Sequence, residues 1–175
     1  MKKVFCTAII ALVIAGGAFA QATLTKTSSL PSVDGIIGPS EYQYSGTQRG
    51  ITLYATLGSD DMLYLAVEAP TSGWVAVGVG GLVMNGSRLF LGATQDGKPA
   101  FLEKTGIGHF YTDAKTLVVK NWAVKTRGED TVLELSLPSS AAIANGQLKA
   151  IFAYAKVPSF TTRHATHASI SFTVN

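Results

Sequence analysis

Beyond residue 20, no stretch of this chain keeps a helical hydrophobic period for three turns. Short runs of alternating apolar and polar residues recur instead, with turn residues between them, which predicts a β-sandwich or barrel. The runs at 51–57 and 62–67 flank Gly58-Ser59-Asp60-Asp61, a hairpin signal. Gly73 opens a run in which Val75, Val77 and Val79 share one face. The other face carries Trp74, Ala76 and Gly78, and beyond the Trp it is small enough for something to approach the backbone closely. Further strands are predicted at 88–93, 116–124 and 131–137. Gln95-Asp96-Gly97 ends the first of these, and Arg127-Gly128-Glu129-Asp130 separates the other two. In the last, Leu133, Leu135 and Leu137 alternate with Glu134 and Ser136, the mark of a half-buried strand. Pro138-Ser139-Ser140 stops it, one helical turn is expected at 141–144, and strands at 148–155 and 168–174 complete the set.

The first twenty residues have a different character. Lys2 and Lys3 precede an apolar run, and Ala18-Phe19-Ala20 places small residues where a signal peptidase reads them, so residues 1–20 read as a secretory signal peptide. The run is short for a membrane span, and Cys6 stands too early to be a lipoprotein cysteine. Cleavage leaves one domain, residues 21–175, exported to a periplasmic or extracellular location, with no membrane insertion of the mature chain. Because Cys6 is the only cysteine, that domain has neither disulfide nor thiolate metal site. At about 155 residues it can bury roughly 68–70% of its unfolded surface in an ordinary apolar core. Its 12 Lys+Arg against 11 Asp+Glu leave a formal charge of +1, so nothing electrostatic draws it to nucleic acid.

No catalytic constellation stands out. The chain lacks a Gly-x-Ser-x-Gly elbow, a His-Glu-x-x-His pair and a phosphate loop, and no spacing among its eleven acids selects a glycosidase pair. The scarce residues say more. Met84 lies in the glycine-flanked loop Gly80-Gly81-Leu82-Val83-Met84-Asn85-Gly86, with little core to fill on local grounds, and its thioether is free to meet a ligand. Thr162-Arg163-His164-Ala165-Thr166-His167 precedes the last strand, and two imidazoles alone make an incomplete zinc site. If Ile170, Phe172 and Val174 face the core, parity carries His164 to that side and His167 to the other. His109, in Gly106-Ile107-Gly108-His109, is a competing imidazole.

Together these segments resemble the DOMON superfamily, sandwich domains that include the cytochrome domain of cellobiose dehydrogenase and a branch resembling carbohydrate-binding module 9. Ser32-Val33-Asp34-Gly35, leading to Glu41-Tyr42, is similar to the opening of that branch. Gly73-Trp74-Val75-Ala76-Val77-Gly78-Val79 is similar to the superfamily's Gly-Trp-Val-Ala-Ile-Gly-Phe strand, with Met84 downstream where haem-binding members carry an axial Met. The strand ending Leu137-Pro138 and His164 before the last strand extend the likeness over nearly all of residues 21–175. His167 stands where the family often has Arg, and Ala168 where it has Gly, which leaves open which histidine is the ligand.

The resemblance implies an immunoglobulin-like antiparallel β-sandwich that binds haem b non-covalently. Met84 and His164 would be the axial ligands, with His167 as the alternative. Trp74, Leu82, Val83 and Phe90, together with Leu89, Leu91 and Phe160, would wall the cleft, and Arg88 or Arg163 would pair with a propionate. Met/His ligation raises the reduction potential and leaves no open iron position, so such a domain passes electrons to a redox partner protein and is not itself an enzyme. A second reading is a carbohydrate- or small-ligand-binding module without haem, with Trp74, Trp122, Tyr54 or Tyr111 as stacking platform. A third is an interaction domain with no ligand.

Overall fold

The computed structural model describes residues 22–175, and the leader read at residues 1–20 lies outside them. In chain order the described strands are β1 (Ala22–Leu24), β2 (Lys26–Thr27), β3 (Tyr44–Gln48), β4 (Ile51–Gly58), β5 (Met62–Ala69), β6 (Val75–Val79) and β7 (Arg88–Gln95). They continue as β8 (Lys98–Ile107), β9 (Phe110–Asp113), β10 (Asn121–Arg127), β11 (Asp130–Pro138), β12 (Ile143–Ala144), β13 (Gln147–Tyr154) and β14 (Thr166–Val174). They form two packed sheets, an all-β sandwich. The first runs β1-β14-β13-β6-β7-β8-β9 with β12 beside β13, and the second runs β10-β11-β5-β4-β2 with β3 beside β4. Pairing is antiparallel except for the short parallel contacts β1–β14 and β2–β4.

Period-two alternation builds the core between the sheets. Ile51, Leu53 and Leu57 of β4, Leu63, Leu65 and Val67 of β5 and Leu133, Leu135 and Leu137 of β11 meet Val75, Val77 and Val79 of β6, with Phe152 and Phe172 beside them. The turn expected at Asp96-Gly97 is a two-residue connection with both residues at positive φ, the backbone that matches strand twist in a tight hairpin.

Three expectations change. The strand expected at 116–124 begins only at Asn121, because the Glu103 carboxylate accepts the N–H groups of Val118 (3.0 Å) and Val119 (3.3 Å) that a neighbouring strand would otherwise take. The expected helical turn is a single 3₁₀ turn at Ser139–Ala141, followed at once by β12. Strands β1, β2, β3, β8 and β9 are not expected from the sequence. Their sequences hold Gly46, Pro99 and Gly106 and show no clean alternation, since they lie toward the sheet edges, where burial is partial.

The opening motif acquires a structural role. Glu134 is buried on the outward face of β11, and its Oε2 accepts the backbone N–H of Asp34 (3.0 Å), Gly35 (2.6 Å) and Ile36 (3.2 Å). Oε1 accepts the Tyr42 hydroxyl at 2.7 Å. Glu41 in turn accepts the N–H groups of Ser32 and Gly38. Two carboxylates thus pin residues 32–42 across the second sheet.

Candidate functional site

The outward face of the first sheet carries the scarce residues. Register aligns His167 of β14 with Ala153, Ala153 with Ala76, Ala76 with Leu91 and Leu91 with Leu102. Directly paired residues share a face, so this row lies opposite Val77 and Phe90. His167 therefore projects outward while Ala168 and Phe172 point inward, as parity predicts. The His164 ring, expected on the core side, lies instead beside that of His167, because residue 164 precedes β14 and strand alternation does not reach it. An outward sheet face is normally wet, yet here Trp74, Leu89, Leu91, Ala93 and Ala155 form a second buried cluster, separate from the main core. Ala76, Met84, Leu102, Tyr111, Ile151, Ala153 and Phe160 pack against it, partly buried.

Two loops provide the cover. Residues 80–87 return the chain from β6 to β7, with Gly80 at φ +97° and Ser87 Oγ donating to the Val83 carbonyl at 2.6 Å. Gly86 N–H donates to Gly106 O, and Gly106 N–H to Ser87 O, both at 2.9 Å. A Cβ on Gly106 would lie 2.0 Å from the Met84 carbonyl oxygen, so only glycine lets this loop close onto β8. The second cover is 155–165. Trp74 Nε1 donates to Thr162 O (3.2 Å), Tyr111 Oη to Phe160 O (2.5 Å) and Gln95 Nε2 to Pro158 O (2.6 Å). The residue before β6, the end of β7 and β9 thus hold this strap down.

Gly73 makes the same kind of close approach, since a Cβ there would sit 2.0 Å from Ala155 O and 2.6 Å from Val157 N. Gly73→Ala is expected to lower stability by about 1–3 kcal/mol, as overpacking does. Urea unfolding checks the value. Because the clash is with strap backbone, proteolysis should also begin within 155–165 in the variant.

At the far end of the row, the His164 and His167 rings lie with centroids 4.8 Å apart, tilted by 54°. Partial burial holds the His164 imidazolium below its usual pKa, and the neighbouring His167 and Arg163 add to the effect. Among the described residues no group of three or more His, Cys, Asp or Glu side chains is placed to hold a metal ion. The imidazoles are a pair, and completing a coordination sphere around them takes a donor of another kind.

Met84, Trp74, Leu89, Leu91 and Phe160 come together at one cluster, and His167 lies beyond Ala153 at the end of the same row, with His164 beside it. Others of the expected set do not. Leu82 and Val83 are 44% and 65% exposed, because the 80–87 loop turns them to solvent, so they wall nothing. Phe90 belongs to the main core, on the opposite side of β7 from Leu89 and Leu91. Arg88 pairs with Val79 on the inward face, and its Nη1 donates to Glu103 Oε1 (2.5 Å) and to Thr116 O (2.6 Å). It anchors the 116–119 segment and is committed there. Arg163 is exposed. His109 is exposed in the β8–β9 turn, which Gly108 N–H ties to Asn85 Oδ1 of the Met84 loop at 2.9 Å.

Of the aromatic platforms, Trp74 is buried, Tyr111 is bonded to the strap, and Trp122 stacks on Phe101 with ring centroids 5.0 Å apart. Tyr54 lines a cavity of about 200 Å³ on the second sheet, with Glu68, Lys125, Arg127 and Asp130. Its hydroxyl donates to Glu68 Oε2 at 2.7 Å. A second cavity, of about 120 Å³, lies beside Gly80 and Asn145. Neither reaches the Met84 cluster.

Two packed β-sheets, one of them with an apolar, loop-covered outer face, make this an all-β sandwich. The structure superposes on the cytochrome b domain of pyranose dehydrogenase from Coprinopsis cinerea with a TM-score of 0.59 and 14% identity, covering 74% of this chain and 80% of that one. It is equally similar to the cytochrome domain of Myriococcum thermophilum cellobiose dehydrogenase, at 0.59 and 12%, covering 75% and 81%. The resemblance noted in the sequence thus extends to the three-dimensional fold. No protein-family model and no curated protein matches the chain.

Proposed function

We propose that this domain is an exported, one-electron transfer module that binds haem b between the Met84 loop and the 155–165 strap. The observation that carries the reading is the loop-covered cluster around Trp74. It is a buried apolar face floored by Ala76, Gly78 and Ala153, with one thioether packed on it and an imidazole pair at its edge, on a fold shared with cytochrome b domains. The donors suit iron. A soft thioether and an imidazole whose charged form partial burial disfavours are the Met/His set of electron-carrying haem. Met84 and His164 are assigned as the ligands, with His167, outward on β14, as the alternate. Trp74, Leu91 and Phe160 supply apolar walls, and Arg163 is available to a propionate. Bound there, the group would supply a reversible one-electron couple, with Met84 and His164 as its protein donors.

These side chains pack against one another, so a planar ring enters only when the 155–165 strap lifts from Trp74 and Tyr111. The protein's part is to exclude water from the face and to fix the donors. The electrons come from and go to a separate redox partner protein. Among the described residues no helix is long and apolar enough to cross a membrane.

Protein expressed with ample haem, or reconstituted with ferric haem, is expected to show a low-spin Soret band that sharpens and shifts on dithionite reduction. Protein that stays colourless under both conditions sinks the reading. One observation favours a second function in that case: the polar cavity of Tyr54, Glu68, Lys125 and Arg127 suits a small polyhydroxylated ligand. Calorimetric titration of colourless protein with mono- and disaccharides tests it, with Glu68→Gln as the control.

A further inference from the structure

Arg49 comes from the other sheet. Gln48 pairs with Ile51 across a two-residue turn, in which Arg49 and Gly50 have φ of 52° and 76°. This tight β3–β4 hairpin carries Arg49 over to the first sheet, where its Nη1 donates to the His167 carbonyl at 3.3 Å across 118 positions of sequence. The His167 ring is 4.8 Å from that of His164, and Arg163 stands next to His164 in the chain. Arg49 thus reaches the backbone of one histidine of the pair, and Arg163 neighbours the other in the chain. The ion pairs among the described residues are Lys26–Asp61, Arg88–Glu103 and Lys104–Asp113, so neither Arg49 nor Arg163 has an acid within 4.0 Å. Two exposed guanidinium groups with no acid partner, each tied to one histidine of the pair, are open to an anion. A guanidinium fork matches a carboxylate best. The adjoining face is apolar, so the fitting ligand is an apolar body with carboxylates along one edge.

We propose that Arg49 and Arg163 form a carboxylate-binding rim at the histidine end of the outer face, which takes the two propionates of the haem. The inference rests on the haem reading above and adds to it a residue from the opposite sheet. Arg88, the other arginine expected for this role, is held by Glu103 on the inward face.

The test compares wild type, Arg49→Gln, Arg163→Gln and the double variant in titrations with four probes: ferric protoporphyrin IX, its dimethyl ester, metal-free protoporphyrin IX and glutarate. Both arginines are exposed, and urea unfolding confirms that the variants fold. Each single substitution is expected to weaken the two free-acid porphyrins about tenfold, the loss of one charge-assisted contact, and to leave the ester unchanged. Arg49→Lys should recover part of the loss. Free-acid affinity unaltered in Arg49→Gln overturns the proposal. Equal weakening of acid and ester also overturns it, since Arg49 would then act only by holding the His167 segment. Glutarate bound as tightly as the porphyrins would make the ligand a small dicarboxylate and overturn the propionate assignment. Wild type that takes up no porphyrin defeats this inference and the haem reading together. Arginine-dependent uptake of metal-free porphyrin without a Met84-dependent iron spectrum keeps the rim and defeats the axial assignment alone.

Discussion

Met84→Ala and His164→Ala are each expected to convert a low-spin, six-coordinate iron spectrum into a high-spin one. Under the haem reading proposed above, each removes one of the two assigned donors, and water or an open position would take its place. The loss of the thioether should also lower the reduction potential, because Met/His ligation is what raises it. Met84 packs at the margin of the second cluster, so its truncation should leave the apo fold intact. Circular dichroism and urea midpoints on apo protein check that point, and absorption and magnetic circular dichroism on loaded protein check the ligation. His167→Ala serves as the internal comparison. If it abolishes the low-spin state and His164→Ala does not, the ligand is the strand residue that register places outward. The electron-transfer reading then survives with a different imidazole. If Met84→Ala leaves the spectrum untouched, the thioether is no ligand and the reading loses its basis.

The second large effect is one of stability and lies on the other sheet. Glu134→Ala is expected to cost about 3–5 kcal/mol, because it strips the acceptor from three backbone N–H groups and a tyrosine hydroxyl at once. Glu134→Gln keeps one acceptor oxygen but turns a donor toward groups that also donate, and should cost about 2–3 kcal/mol. A pH dependence accompanies this. Burial pushes the Glu134 carboxyl above its usual range, although its hydrogen bonds to Tyr42, Gly35 and Asp34 pull the other way. A group that holds its proton more tightly when folded makes stability fall as pH rises, from the ordinary carboxylate pKa up to the raised one. The gap between wild type and Glu134→Gln should therefore be widest below that window and narrow through it. Melting temperatures of both proteins from pH 4 to 8 measure the slope, and a gap that widens with pH contradicts the assignment.

Much of the fold was legible because alternation is a local property. Val75, Val77 and Val79, and likewise Leu133, Leu135 and Leu137, mark their buried side without reference to any partner strand. The same rule separates Phe90 from Leu89 and Leu91 and so argues against grouping all three as one wall. The opening motif was legible as a pattern but not in purpose. Its acceptor, Glu134, lies about a hundred positions away, and only strand order brings the two together. Strands β3 and β9 are not legible because edge positions are half wet and carry little hydrophobic pattern, and β8, though paired on both sides, is only partly buried along its length.

By itself the sequence determined a chain of two-faced strands with tight turns, and it singled out Met84 and His164 as donors in scarce supply. Tertiary structure decided the rest. It covered the outer face of β6 and β7 with two loops, committed Arg88 to Glu103, and brought Arg49 from a turn of the opposite sheet to the backbone of His167. The reason is geometric. Periodicity tells which side of a strand is apolar, but what lies against that side depends on strand order and register, and those are fixed by contacts between residues far apart in the chain.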